Sequence, residues 1–331
     1  MKTLIKYILY VLFLCSTTQG FTQELNLPVF SQYLADSNFV VAPTFAGIGD
    51  NFRIRLNALT QWVGIANAPD NQALYADLRF ADRSGLGVSL YNDRNGNTRQ
   101  QGFKISYAHH LTLDYKTQQY LSFGLSVNTN SFSIDIQNFS PTIDMPFIDP
   151  FVTDNRAVTN LNFDVGALYR FREIFLSVNA NNILPKDIDK FSGFEPNLLF
   201  NLQVYSGYTY KTNNYSQWEP SIFYQRYMSD GRSSTDINLK YRKYNRRNDY
   251  YWAGATYRFL NDQVGNPLGI GPMVGVKRSI FFVSYAYQIT LNDFITLNSG
   301  THSITIGFDF LQGRGSCPCT ATNEGARTWA Y

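Results

Sequence analysis

The residues of this chain whose types could do chemistry are three histidines, two close cysteines, one loop rich in Asn and Asp, and one basic run. His109 and His110 are adjacent. On a strand, successive side chains point to opposite faces, so the two cannot ligate one metal together. His302 stands far from both in sequence. Asn92-Asp93-Arg94-Asn95-Gly96-Asn97-Thr98 offers oxygen donors for calcium, but it lacks the glycine spacing and closing Glu of an EF-hand. Its Asn95-Gly96 step reads as a hairpin turn. Cys317-Pro318-Cys319 would close only a small, strained ring. Pairing with a partner and weak metal binding are alternatives, and an exposed tail is the favoured reading, because chain ends are usually poorly ordered. No GxSxG elbow, P-loop or HExxH helix is present. Asp and Glu are scattered, with no pair to set across a cleft. The expectation is a protein without catalytic residues, metal or cofactor. The densest basic run is Arg242-Lys243-Tyr244-Asn245-Arg246-Arg247. It reads as a periplasmic turn, either solvated near lipid headgroups or in contact with an acidic periplasmic partner.

The composition says which elements must carry these residues. Charged residues make up 16% of the 331-residue chain, against about 25% in ordinary globular proteins. Aromatic residues also reach 16%, with 23 Tyr and 26 Phe. Beyond the N-terminus no stretch approaches the roughly 20 apolar residues of a membrane helix. Few charges, many aromatics and no spanning helix fit an outer-membrane β-barrel, whose strands alternate and whose interfaces carry aromatic girdles. A net charge of +3 makes no case for nucleic acid.

The alternation is clearest near the end of the chain. Ile304, Ile306, Phe308 and Phe310 fall on one side, Thr305, Gly307 and Asp309 on the other. Fourteen such candidates lie near 51–61, 72–80, 84–92, 100–109, 119–131, 161–170, 173–180, 197–211, 216–229, 233–243, 249–258, 271–278, 280–289 and 301–310. In 119–131, Leu121, Phe123, Leu125 and Val127 oppose Ser122, Gly124, Ser126 and Asn128. In 280–289, Phe282 breaks the pattern by standing on the polar side. Connection lengths agree, since a barrel starting in the periplasm has long outer loops after odd strands and short turns after even ones. Ala81-Asp82-Arg83, Phe171-Arg172 and Ser279 follow even strands, and the long stretches 132–160 and 181–196 follow odd ones. The expected fold class is all-β: an antiparallel transmembrane barrel of about fourteen strands over 51–310, closed by pairing of 301–310 with 51–61.

Segments outside the barrel complete the plan. Residues 1–20 read as a signal peptide. Lys2 and Lys6 precede the apolar core Ile8–Leu14, and Thr18 and Gly20 suit cleavage after Gly20. Leu14 before Cys15 is bulky where a lipoprotein signal needs a small residue, so lipidation is not expected. Residues 21–50 read as an arm packed on the periplasmic end, with a lumen plug as the alternative. Barrel interiors are mostly polar and this arm is not, which favours the first. Phe30, Tyr33 and Leu34 allow one or two helical turns there. Residues 311–331 form a C-terminal periplasmic tail.

Several motifs resemble one family. Phe30-Ser31-Gln32-Tyr33, followed by Ala42-Pro43 and Ala46-Gly47, is similar to the opening FSQY and NPAxAG blocks of the PorP/SprF family of Bacteroidetes outer-membrane proteins. Gln61-Trp62-Val63-Gly64-Ile65, with Ala68-Pro69, resembles its most specific block. Gly85-Leu86-Gly87 with Asn92-Asp93 and Gly96 resembles a third, and Asn179-Ala180-Asn181-Asn182-Ile183 and the run from Val274 to Ser284-Tyr285 resemble later ones. The resemblance spans nearly all of the mature chain and leaves out the tail from Cys317 onward. It implies a non-enzymatic outer-membrane component of type IX secretion and gliding motility. The implied partners are periplasmic ring subunits and a large adhesin with a C-terminal sorting domain. A porin-like or hydrophobic-solute channel is the alternative function. Partner-binding candidates are Gln32, Tyr33, Gln61, Trp62, Val63, Gly64, Arg242, Lys243, Arg246 and Arg247. Trp62 reads either as an interfacial belt residue beside a glycine bend or as an anchor for an exported partner.

Overall fold

The computed structural model describes residues 37–49, 52–134, 156–184, 200–228, 231–245, 249–262, 267–291, 298–310 and 317–321. The strands are β1 (Phe52–Thr60), β2 (Asp70–Ala81), β3 (Ser84–Asn95), β4 (Thr98–Asp114), β5 (Gln119–Ile134), β6 (Arg156–Phe171), β7 (Ile174–Asn181) and β8 (Asn201–Tyr208). They continue as β9 (Tyr210–Asn213), β10 (Ser216–Tyr227), β11 (Ser233–Tyr244), β12 (Tyr250–Leu260), β13 (Pro267–Arg278), β14 (Phe281–Thr290) and β15 (Thr301–Phe310). Both β8 and β9 pair with β10 and are two pieces of one wall strand broken at Thr209, so the wall has fourteen strands.

Each strand pairs antiparallel with its chain neighbour, and β15 returns to β1. The seam runs in unbroken register from Phe52 opposite Phe310 to Thr60 opposite His302. Closure is what the bilayer demands. Hydrocarbon offers no partner for an edge N–H or C=O, and a sealed ring leaves no edge. The strand plan expected from alternation is met throughout. The strands β4 and β6 extend furthest beyond the expected bounds, β4 mainly at its Asp114 end toward the periplasm and β6 mainly at its Arg156 end toward the outer rim.

Connection lengths sort by end, as expected. Residues 82–83, 115–118, 172–173, 214–215 and 279–280 make tight turns at one end. The stretches 61–69, 135–155 and 182–200 leave the other. The exception is Gly96-Asn97, a two-residue turn at the outer end joining β3 to β4. Gly96 takes a positive φ of 58° there, as Asn-Gly hairpins do. Around the short-turn end Phe80, Tyr115, Tyr210, Trp218, Tyr251, Phe281 and Phe310 are all exposed, which forms an aromatic girdle at the periplasmic interface.

The two faces of the wall differ in chemistry. Phe123 and Leu125 are about half exposed toward lipid, while Ser122, Ser126 and Asn128 between and beside them are buried. Phe282, the residue out of pattern, points into the lumen and is fully buried there. It packs with Trp252, Met273 and Ala286, and the Arg55 guanidinium lies 4.5 Å from its ring centre.

Many charged side chains in the lumen are paired. Arg53 makes a two-point contact with Asp77 at 3.1 and 2.7 Å. Across the seam Arg55 on β1 donates to Asp309 on β15 at 2.7 Å, and Lys277 on β13 approaches the same carboxylate at 3.1 Å. The Lys104–Asp164, Lys240–Glu219 and Arg258–Asp236 pairs repeat this around the wall. A charge out of water is tolerated only when paired in this way.

The segment 37–49 overturns one expectation. It is not packed outside the barrel but lies within the lumen, against the inner faces of the strands. Phe39, Ala42, Phe45, Ala46 and Ile48 form one buried cluster with inward residues that include Ala73, Ala108, Leu168, Phe175, Tyr205 and Phe223. The polar-lumen argument failed because this part of the lumen carries an apolar patch matched to the segment. Residues 21–36, including the expected helical turns, lie outside the described residues.

The seam makes a clear prediction. Asp309→Ala leaves Arg55 and Lys277 facing each other inside the barrel without their shared carboxylate. Removing one partner of a buried pair costs about 3–5 kcal/mol. The urea midpoint of the barrel in detergent micelles, read by heat-modifiable gel mobility, is expected to fall accordingly. An unchanged midpoint would show that the pair does not support closure.

Candidate functional site

The lumen plug is held by backbone contact, and the wall is cut to admit it. Two short 3-10 turns, Asn38–Val40 and Pro43–Phe45, shape the segment. Pro43 opens the second turn, where its missing N–H costs nothing. The wall opposite carries glycines at inward positions. A Cβ on Gly124 would stand 2.5 Å from the Thr44 nitrogen, and one on Gly85 would overlap the Ala46 carbonyl. Only glycine leaves room for backbone to lie on backbone at these two points.

Polar contacts then fix the register of the plug. His110 Nε2 lies 2.9 Å from the Ala46 carbonyl oxygen, and its Nδ1 lies 2.8 Å from Ser122 Oγ. A carbonyl only accepts, so Nε2 carries a proton and donates to Ala46. The Gly47 N–H donates to Asp77 Oδ2 at 3.1 Å, so the carboxylate that holds Arg53 also holds the plug. The Phe45 ring meets Phe175 edge-on and tilts against Tyr205, both at 6.1 Å between centroids. His109 points the other way, toward Ser84 Oγ at 3.1 Å, as expected for adjacent strand residues.

A second piece of chain closes over the plug. Residues 317–321 are folded, with Cys319 and Thr320 fully buried, which corrects the reading of an exposed tail at this point. Cys317 and Cys319 are joined as a disulfide, the pairing judged unfavourable from sequence. Local spacing said nothing of the receptors waiting in the wall. The Gly49 N–H donates to the Thr320 carbonyl at 2.8 Å. Arg170 on β6 donates to the carbonyls of Cys319 and Ala321, and Arg79 on β2 donates to Thr320 Oγ1. Sequence reasoning treated Arg79 and Arg170 as unremarked strand residues. Their only signal was a charge at an inward position near a strand end.

The sequence-derived candidates are dispersed. Gln61, Trp62, Val63 and Gly64 sit on the outer rim, in the connection from β1 to β2. That connection is braced, not loose. The Gln61 N–H donates to the Pro69 carbonyl at 2.8 Å. Val63 exchanges backbone bonds with residues 299 and 300 before β15, at 2.7 and 3.1 Å. Trp62 takes a positive φ of 48° and Gly64 one of 105°, so the loop holds an unusual backbone course beside the seam.

The basic run is split. Arg242 is fully buried in the lumen, with its guanidinium 4.9 Å from the Tyr250 ring centre and donating to Tyr244 Oη at 3.1 Å. It therefore does not belong to a solvated turn, because strand β11 continues through it and turns it inward. Lys243 points outward and is exposed. Gln32, Tyr33, Arg246 and Arg247 lie outside the described residues. Among the described residues no group of His, Cys, Asp and Glu gathers as a metal site would require.

Fold and lumen together define a plugged β-barrel of the outer membrane. Solved outer-membrane barrels are similar to the chain at low identity. A monoaromatic hydrocarbon channel, CymD, is 10% identical over 88% of this chain and 93% of its own, with a TM-score of 0.48. A FadL homologue of Pseudomonas aeruginosa is 10% identical over 78% and 90%, with a TM-score of 0.46. No curated protein matches the chain. The chain belongs to the family described as type IX secretion system membrane protein PorP/SprF, whose model matches residues 22–308. It is thus an outer-membrane component of type IX secretion.

The cradle can be tested by filling it. Gly124→Val places a branched side chain where the Thr44 backbone now lies, and overpacking of this kind costs about 1–3 kcal/mol. Hydrogen exchange in micelles is expected to speed up at residues 37–49 while the strand amides stay protected. Unchanged exchange across the segment would mean that the plug does not depend on this contact.

Proposed function

We propose that the protein is a platform for type IX secretion, assisting export or surface anchoring of a large adhesin, and is not a conducting pore. The observation that carries the reading is family membership across the whole barrel, combined with a lumen filled near its periplasmic end by the chain's own residues. A pore would keep that space for solute. A platform needs a rigid wall, a defined outer rim and a defined periplasmic face.

The two faces suit two partners. On the outer rim, the braced loop with Gln61, Trp62, Val63 and Gly64 supplies a fixed aromatic anchor for an adhesin with a C-terminal sorting domain. A preorganised Trp on a held backbone gives binding energy with little ordering cost. On the periplasmic side, the exposed Lys243, with Arg246 and Arg247 close to it in sequence, supplies positive charge for ring subunits of the secretion machinery. Arg242 takes no part, being buried. Gln32 and Tyr33 remain candidates for partner contact.

Purification in mild detergent followed by identification of bound proteins tests the reading. A large surface protein or periplasmic ring subunits should be retained, and planar bilayers should show no steady large conductance. Steady conductance with no retained partner would favour the channel. For the rim, Trp62→Ala is expected to leave barrel abundance unchanged and to reduce surface adhesin severalfold. Normal display on a normal barrel would remove Trp62 from docking.

A further inference from the structure

The C-terminal residues 317–321 lie beyond the matched family region, which ends at residue 308, yet Cys319 and Thr320 among them are fully buried. They touch three things at once. Thr320 accepts from Gly49, the last described residue of the plug. Thr320 also receives the Arg79 guanidinium from β2. The carbonyls of Cys319 and Ala321 receive the Arg170 guanidinium from β6. The tail therefore bridges the plug to two strands on different parts of the wall.

The chemistry of the bridge is specific. Arg170 is 6% exposed and lies 5.2 Å from the Tyr120 ring centre, so its charge is out of bulk water, and its two terminal nitrogens donate to main-chain carbonyls. Backbone carbonyls satisfy a buried guanidinium only if the backbone presents them in one conformation. The single 3-10 turn Pro318–Thr320 does this, with Pro318 fixing its first φ and the Cys317–Cys319 link joining the residue before the turn to its middle residue. The plug end has its own wall contacts through Asp77 and His110. The tail adds a contact at the Gly49 end of the plug.

We propose that residues 317–321 are a strap that locks the lumen plug, so that the C-terminus of this chain controls whether the periplasmic mouth is shut. The strap depends on Arg170 and Thr320 as fasteners and on the Cys317–Cys319 link to hold its shape. The inference concerns gating of the barrel and stands whether or not the platform reading holds.

The experiment places a reporter in the plug. Ala42→Cys puts a thiol at a site that is 2% exposed. Purified barrel in detergent is treated with a bulky, membrane-impermeant maleimide, and labelling is counted above that of the same protein without the added cysteine. In the otherwise native barrel the thiol should be protected. In a chain ending at Leu311 it should label at least tenfold faster, and single-channel recordings should show openings absent from the native barrel. Heat-modifiable mobility establishes that the truncated barrel is folded. Should truncation prevent folding, Arg170→Met in the full chain gives the same readout, since it keeps the bulk and removes the donors. Equal protection and equal conductance in a folded strapless or Arg170→Met barrel would overturn the proposal.

Discussion

Every strand in this molecule depends on one junction, the pairing of β1 with β15. The two strands come from opposite ends of the barrel sequence and meet in unbroken register over nine residue pairs. Without that junction two rows of backbone groups would face hydrocarbon unpaired, at several kcal/mol each. The side chains at the junction reinforce it. Arg55 and Asp309 tie the two strands inside the lumen, Arg53 ties β1 to β2, and Phe52 and Phe310 meet outside with centroids 6.3 Å apart. The same strand β1 leads back to the plug. Asp77, which holds Arg53, also holds Gly47, so closure and plugging share one carboxylate.

A lumen lined wholly with polar groups would need water throughout. This lumen is divided instead. Part of its wall is lined with paired charges and small hydroxyl and amide side chains, while an apolar patch is covered by the plug and a second by Trp252, Met273 and Phe282. The division explains why a segment of Phe, Ala and Ile can rest in a barrel interior. It also explains the inward glycines, which let the plug lie close enough for His110 to reach a main-chain carbonyl.

Much of the fold was legible because its code is local. Alternation such as that of Ile304 and Ile306 against Ser303 and Thr305 needs only neighbours along one strand, and turn length reports which end of the barrel a connection occupies. The plug was not legible in this way. Its receptor is built from Ala108, Leu168, Phe175, Tyr205 and Phe223, one or two residues from each of several strands, and each looks like a small lapse in a polar face. Phe282 was the one lapse that stood out, and it marked the other apolar patch. Arg242 was misread for a related reason. A basic run looks like a turn until the strand is known to continue through it to Tyr244. The strap was hidden most completely, since a Cys-Pro-Cys step in a terminal tail gives no hint of guanidinium groups waiting on β2 and β6.

The position of the strap has a bearing on how the molecule is made. Gly49 and Thr320 stand near opposite ends of the chain, and their contact can form only after everything between them has been synthesised and the ring has joined. Contacts so distant in sequence carry a large loop-closure entropy until intervening structure is in place. Fastening the mouth is therefore coupled to completion. A chain clipped after Phe310 retains every strand pairing and still lacks its clasp. Residues 317–321 thus act as a certificate that the whole barrel is present.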